Sequence, residues 1–146
     1  MIRIVTMTIV YLITLVAEAQ TSTEMNKDVI DGITITVNVP NATSDKGIVQ
    51  FGLHTKETFG KKPFMTKMVK IVEGKCQVTF ENIQVGVYAV TCFHDANENG
   101  RMDFTENHMP LEDYGISNNP ALMGPPTFDI AKFTVENKSL DLTLKF

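Results

Sequence analysis

Apolar and polar residues alternate along most of this chain with the period of two that marks half-buried β-strands. Ile33, Ile35, Val37 and Val39 alternate with Thr34, Thr36 and Asn38, and Pro40-Asn41 ends the run. Val49, Phe51 and Leu53 share one face after the turn residues Asp45-Lys46-Gly47. Met68–Val72 and Cys76–Phe80 flank Glu73-Gly74-Lys75, which predicts a hairpin connection. Val87–Phe93, Ile130–Val135 and Ser139–Phe146 follow, the last with Leu140, Leu142, Leu144 and Phe146 on one face and Asp141, Thr143 and Lys145 on the other. No window sustains a helical period. The pattern predicts an all-β antiparallel sandwich of about seven strands, immunoglobulin-like or transthyretin-like in type. Within Asn82–Tyr88, a glycine turn followed by Tyr88 entering a strand resembles the corner between two sheets, although an ordinary strand with a buried tyrosine fits the same residues.

The first 19 residues follow a different rule. Arg3 precedes an apolar run from Ile4 to Ala17, and Ala17-Glu18-Ala19 forms a small-x-small cleavage site, the signature of a secretory signal peptide. A membrane anchor is the competing reading, but a run spanning 14 positions falls short of the roughly 20 a bilayer requires. The expected organisation is therefore a signal peptide (1–19), an N-terminal linker (20–31) and a β-sandwich domain (32–146), periplasmic or extracellular after cleavage near Ala19.

At 146 residues there is room for one domain. Loss of Arg3 and Glu18 with the signal leaves the net charge at -4, so no cationic surface exists to neutralise a nucleic-acid backbone. Export also bears on the two cysteines. Strand parity points Cys76 and Cys92 inward, where they either bridge or act as two buried thiols, and neither forms a redox C-x-x-C pair.

One segment carries chemistry. Asp95–Glu106 reads D-A-N-E-N-G-R-M-D-F-T-E and satisfies the calcium-loop template D-x-[DN]-x-[DN]-G-x5-E at every constrained position. Calcium takes six to eight oxygens. The side chains of Asp95, Asn97, Asn99 and Asp103, the carbonyl of Arg101 and the carboxylate of Glu106 supply that set, while Gly100 allows the sharp turn and Met102 anchors the loop to the core. The helices that flank such loops in sensor proteins are missing, because Val87–Phe93 is β-branched and aromatic and Pro110 follows closely. A single unpaired loop is expected to bind calcium weakly, at about 10⁻⁴ to 10⁻³ M, and to serve structure. The alternative is an ion-free loop held by Asx turns.

Three stretches together carry a resemblance: His94–Asp103, Pro110–Asn119 and Gly124–Ala131, with Val85–Val90 leading into the first. They resemble a bacterial family of exported proteins, the domain-of-unknown-function family usually numbered 2141, over about Gly32 to Phe146. The resemblance implies a secreted β-sandwich with no assigned reaction. It also implies that the acidic residue after Pro110, here Glu112, recurs more dependably than a carboxylate at the place of Glu106, which leaves Glu106 and Glu112 as alternative closing ligands.

Other residues add little chemistry. His54, His94 and His108 show no zinc spacing, and no G-x-S-x-G elbow or phosphate-cradling loop is present. His94 beside Asp95 invites a catalytic pair, but parity places it inward as a satisfied histidine at the core's edge. The eight methionines are scattered, and Asn41-Ala42-Thr43 and Asn137-Lys138-Ser139 are glycosylation acceptors only on a eukaryotic secretory route. Tyr114–Phe128, rich in Gly, Pro, Asn and Ser, predicts a long ordered loop that either presents Tyr114, Asn118, Asn119 and Met123 to a protein or glycan ligand, or packs over the core through Leu122 and Phe128. The expectation is a binding or structural module without catalysis and with structural calcium. The rival is a small carbohydrate-acting or hydrolytic protein using carboxylates such as Glu112-Asp113 near the same loop.

Overall fold

A computed structural model describes residues 32–146; the expected signal peptide and linker lie outside the described residues. Eight strands follow in order: β1 (Ile33–Val39), β2 (Ile48–His54), β3 (Met65–Lys70), β4 (Cys76–Ile83), β5 (Gly86–Asp95), β6 (Tyr114–Ile116), β7 (Phe133–Val135) and β8 (Leu140–Thr143). They build two sheets, β4-β1-β8 and β3-β2-β5-β6, with β7 also pairing β5. The chain is thus an all-β protein of two packed layers.

The alternating pattern finds its core between the layers. Ile35, Val37, Val39, Val49, Phe51, Leu53, Phe80, Val90 and Leu144 are each at most 1% exposed. Burying a side chain such as Phe51 contributes about 3 kcal/mol at the upper end of the usual range. Cys76, Val78 and Phe80 point into this core from one sheet, and Tyr88, Val90 and Cys92 point into it from the other. Both thiols are free; burial pushes Cys76 up to about 11 and Cys92 higher still.

Several expectations need correction. Ile130–Val135 is not one strand: a short helix α1 (Phe128–Ala131) precedes β7, turning Ala131 inward, with Lys132 closing the helix by donating its N–H to the Phe128 carbonyl. The third strand begins three residues earlier than Met68 and ends before Ile71. Glu73-Gly74 does form a two-residue turn, with φ of 51° and 69° and the Val72–Lys75 bridge. It joins strands of different sheets, however, so the ladder stops at that bridge. Asp45 fixes the turn by accepting from the backbone N–H groups of Glu73 (3.0 Å) and Gly74 (2.8 Å). Finally, the sheets are not wholly antiparallel, because β8 returns alongside β1 in parallel, Ile35 opposite Leu140.

The stretch expected as a loop after Tyr114 starts as strand β6, pairing Thr91 with Ile116 and Phe93 with Tyr114. Beyond it, Leu122 and Phe128 pack on Ala89, Ile116 and Ala131 to close the outer face of the larger sheet.

Candidate metal centre

Strand β5 delivers Asp95 to the edge of the sandwich as its last residue, paired with Ile48 of β2. The chain can approach so closely there because of Gly47: with φ of +70°, a Cβ at this position would lie 2.1 Å from the Asp95 carbonyl oxygen. The Asp95 side chain is fully buried. Its Oδ1 accepts from the Asn99 N–H (3.0 Å) and its Oδ2 from the Gly100 N–H (2.8 Å). One carboxylate thereby ties down the turn, which passes through Glu98 (φ 56°) and Gly100 (φ 78°) in the left-handed region.

The other loop residues gather around Asp103. The side-chain amides of Asn97 (2.9 Å) and Asn99 (2.7 Å) both donate to Asp103 Oδ2. The Arg101 guanidinium lies 3.5 Å from Oδ1. The Asn97 amide, seconded by Asn99 and Arg101, holds the Asp103 carboxyl below its ordinary range. Asn97 Oδ1 accepts from the Asn99 N–H and Asn99 Oδ1 from the Arg101 N–H, as in Asx turns. To offer these two oxygens to a cation, the amides would rotate away from those bonds.

Glu106 and Glu112 part company. Phe104 bridges Pro110 and the Thr105 N–H reaches the Met109 carbonyl, so 104–110 folds back as a small hairpin carrying Glu106 exposed on its turn. The same fold returns Glu112 to the loop: Leu111 donates to the Asp103 carbonyl, and the Asp103 N–H donates to Glu112 Oε2 at 3.3 Å. Glu112 Oε1 is shielded from solvent with no hydrogen-bond partner among the described residues. Burial raises the affinity of Glu112 for its proton, the Asp103 N–H opposes this, the charges of Asp95 and Asp103 raise it further, and the nearby Ala96 N–H lowers it again.

Three carboxylates thus share one end of the sandwich, and one oxygen among them is orphaned. A hard cation there would satisfy the free oxygen and offset the mutual repulsion. Asp95, Asp103 and Glu112 would hold it, with Asn97, Asn99 and the Arg101 carbonyl completing the set. Among the described residues, no three His, Cys, Asp or Glu side chains are grouped closely enough to hold a metal ion by themselves, so the set would lean on amide and backbone oxygens.

The family model "Uncharacterized protein conserved in bacteria (DUF2141)" matches residues 37–143. The chain belongs to the DUF2141 family. No match was found among curated proteins, and none among solved structures. The DUF2141 match spans every candidate ligand from Asp95 to Glu112 and both layers of the sandwich.

Three of the remaining candidates, His94, Asn118 and Asn119, hold structure. Among the histidines, His94 is buried, with Nε2 2.7 Å from the Lys46 carbonyl and its ring stacked on Phe146. Asn118 donates to the carbonyls of Ile130 and Lys132, and Asn119 brackets Thr143 and Lys145, so neither amide is free for a ligand. Sequence reasoning named His54 but gave it no role; it bonds the Thr58 carbonyl and the Thr91 hydroxyl beneath the loop after β2, and a histidine continuing the outward series of Gly52 was the available signal.

Proposed function

We propose that this chain is an exported binding or structural module, on an immunoglobulin-like or transthyretin-like sandwich, whose Asp95–Glu112 segment grips calcium to stabilise one end of the fold. The observation that carries the reading is the Glu112 carboxylate, held against Asp103 with one oxygen sheltered and unpartnered beside two further acids. Its role is structural rather than catalytic: the loop's donors bond one another, and Asp95 spends both oxygens on backbone N–H groups. Among the described residues no helix is long and apolar enough to cross a membrane, and the periplasmic or extracellular address rests on the sequence of residues 1–19. The deciding experiment is calorimetric titration of the protein with calcium, beside an Asp95→Ala variant. Saturable binding near one ion per chain, absent from the variant, supports the reading; no heat of binding at millimolar calcium refutes it.

A further inference from the structure

A second feature lies on the outer face of the larger sheet, on the far side of the hairpin that joins Asp103 to Glu112. A cavity of about 750 Å³ opens there, within the range of roughly 300–1,000 Å³ usual for small-molecule sites. Its floor is strand: Thr91 and Phe93 of β5, beside Tyr114 and Ile116 of β6. One wall is the 104–110 hairpin, presenting Phe104 and Met109; the other is the Gly/Pro segment after β6, presenting Leu122 and Met123. None of the lining residues is Lys, Arg, Asp or Glu.

Two properties of this recess bear on its occupant. Phe104, Met109 and Met123 are 53%, 64% and 102% exposed at its mouth, a concentration of apolar surface in water that a bound apolar group would cover. Unbranched methionines adapt to irregular shapes, while Phe93, Tyr114 and the prolines give flat, rigid surface. A charged ligand would lose its hydration against a lining whose one ionisable side chain besides Tyr114 and Cys92 is His108, so the lining favours an uncharged ligand.

We infer that this cleft binds one uncharged, apolar small molecule between the hairpin and the Gly/Pro segment. The test uses the uncharged dye N-phenyl-1-naphthylamine, whose fluorescence rises in apolar surroundings, with 1-dodecanol as the alkyl competitor. Saturable binding of one dye per chain, displaced by dodecanol, is expected. Phe104→Asp and Met123→Asp, both at exposed side chains, should each raise the dye's dissociation constant at least tenfold with the circular dichroism unchanged. Val85→Asp, equally exposed but outside the cleft, should leave it alone. Unsaturable dye binding, or equal weakening by all three variants, would overturn the proposal. A concentration-dependent dimer that Met123→Asp abolishes would also overturn it, assigning the patch to a second copy of the chain.

Discussion

Glu112→Gln should act with opposite signs according to whether calcium is present. Without the ion, the carboxylate stands near Asp95 and Asp103 with one oxygen unpartnered, so its charge works against the fold. Gln keeps the acceptor for the Asp103 N–H and removes the charge. Because the side chain is only partly buried, solvent screens the repulsion and the relief is about 0.5 kcal/mol. In chelator the variant should therefore melt about 2 °C above the parent, taking roughly 3–6 °C per kcal/mol for a domain of this size. With calcium the balance reverses. At about 2 mM calcium and a dissociation constant of about 10⁻⁴ M, binding stabilises the parent by about 1.8 kcal/mol, or about 5–10 °C. A tenfold weaker site in the variant would retain about 0.6 kcal/mol, or about 2–4 °C. The assay is thermal melting by circular dichroism in chelator and in calcium. Equal melting shifts on adding calcium to parent and variant would refute the role given to Glu112, and a lower melting point of the variant in chelator would refute the repulsion.

Further outcomes follow from the same geometry. Asp95→Ala removes the charged acceptor of two backbone N–H groups and should cost about 3 kcal/mol, lowering the melting point by about 10 °C even in chelator; a loss under 2 °C would count against the buried anchor. Burial lowers the pKa of His54, so the neutral ring is the folded form. Its contribution is complete above the unfolded value near 6.5 and is lost as pH falls through the lower folded value, so the parent's melting point should drop between about pH 7 and 5 more steeply than that of His54→Phe. Parallel curves would dismiss this. Cys76, pushed up to about 11, and the more deeply buried Cys92 should resist a thiol-specific disulfide reagent in the native protein and both react on unfolding; rapid native labelling, or no thiol after unfolding, would contradict the two free buried thiols.

How much of this was legible in the sequence depended on the range of the interaction. Strands with one buried face announce themselves by parity, and Val49-Phe51-Leu53 and Tyr88-Val90-Cys92 lie inward as the alternation requires. Strand β6 has three residues, one of them Gly115, and exists because β5 offers a ladder to it. Ile130–Val135 alternates like a strand, yet Phe128–Ala131 turns as a helix to bury Ala131 and let Phe128 pack on Phe59. The parallel return of β8 beside β1 joins residues about a hundred positions apart, which no local pattern encodes. In the candidate loop, the template's Asp95, Asn97, Asn99 and Asp103 lie within hydrogen-bonding reach of one another because their spacing is local. Its last position assumes a helix that is absent here, so the hairpin carries Glu106 outward and brings Glu112 to Asp103 in its place.

The central claim meets its most direct measurement in a crystal structure of the protein grown with calcium. The account predicts one ion at the end of β5, bound at about 2.3–2.6 Å by six to eight oxygens that include Asp95, Asp103 and Glu112, with the Asn97 and Asn99 amides turned from their present bonds. Density showing no ion at millimolar calcium, or an ion closed by Glu106 while Glu112 keeps its distance, would contradict it.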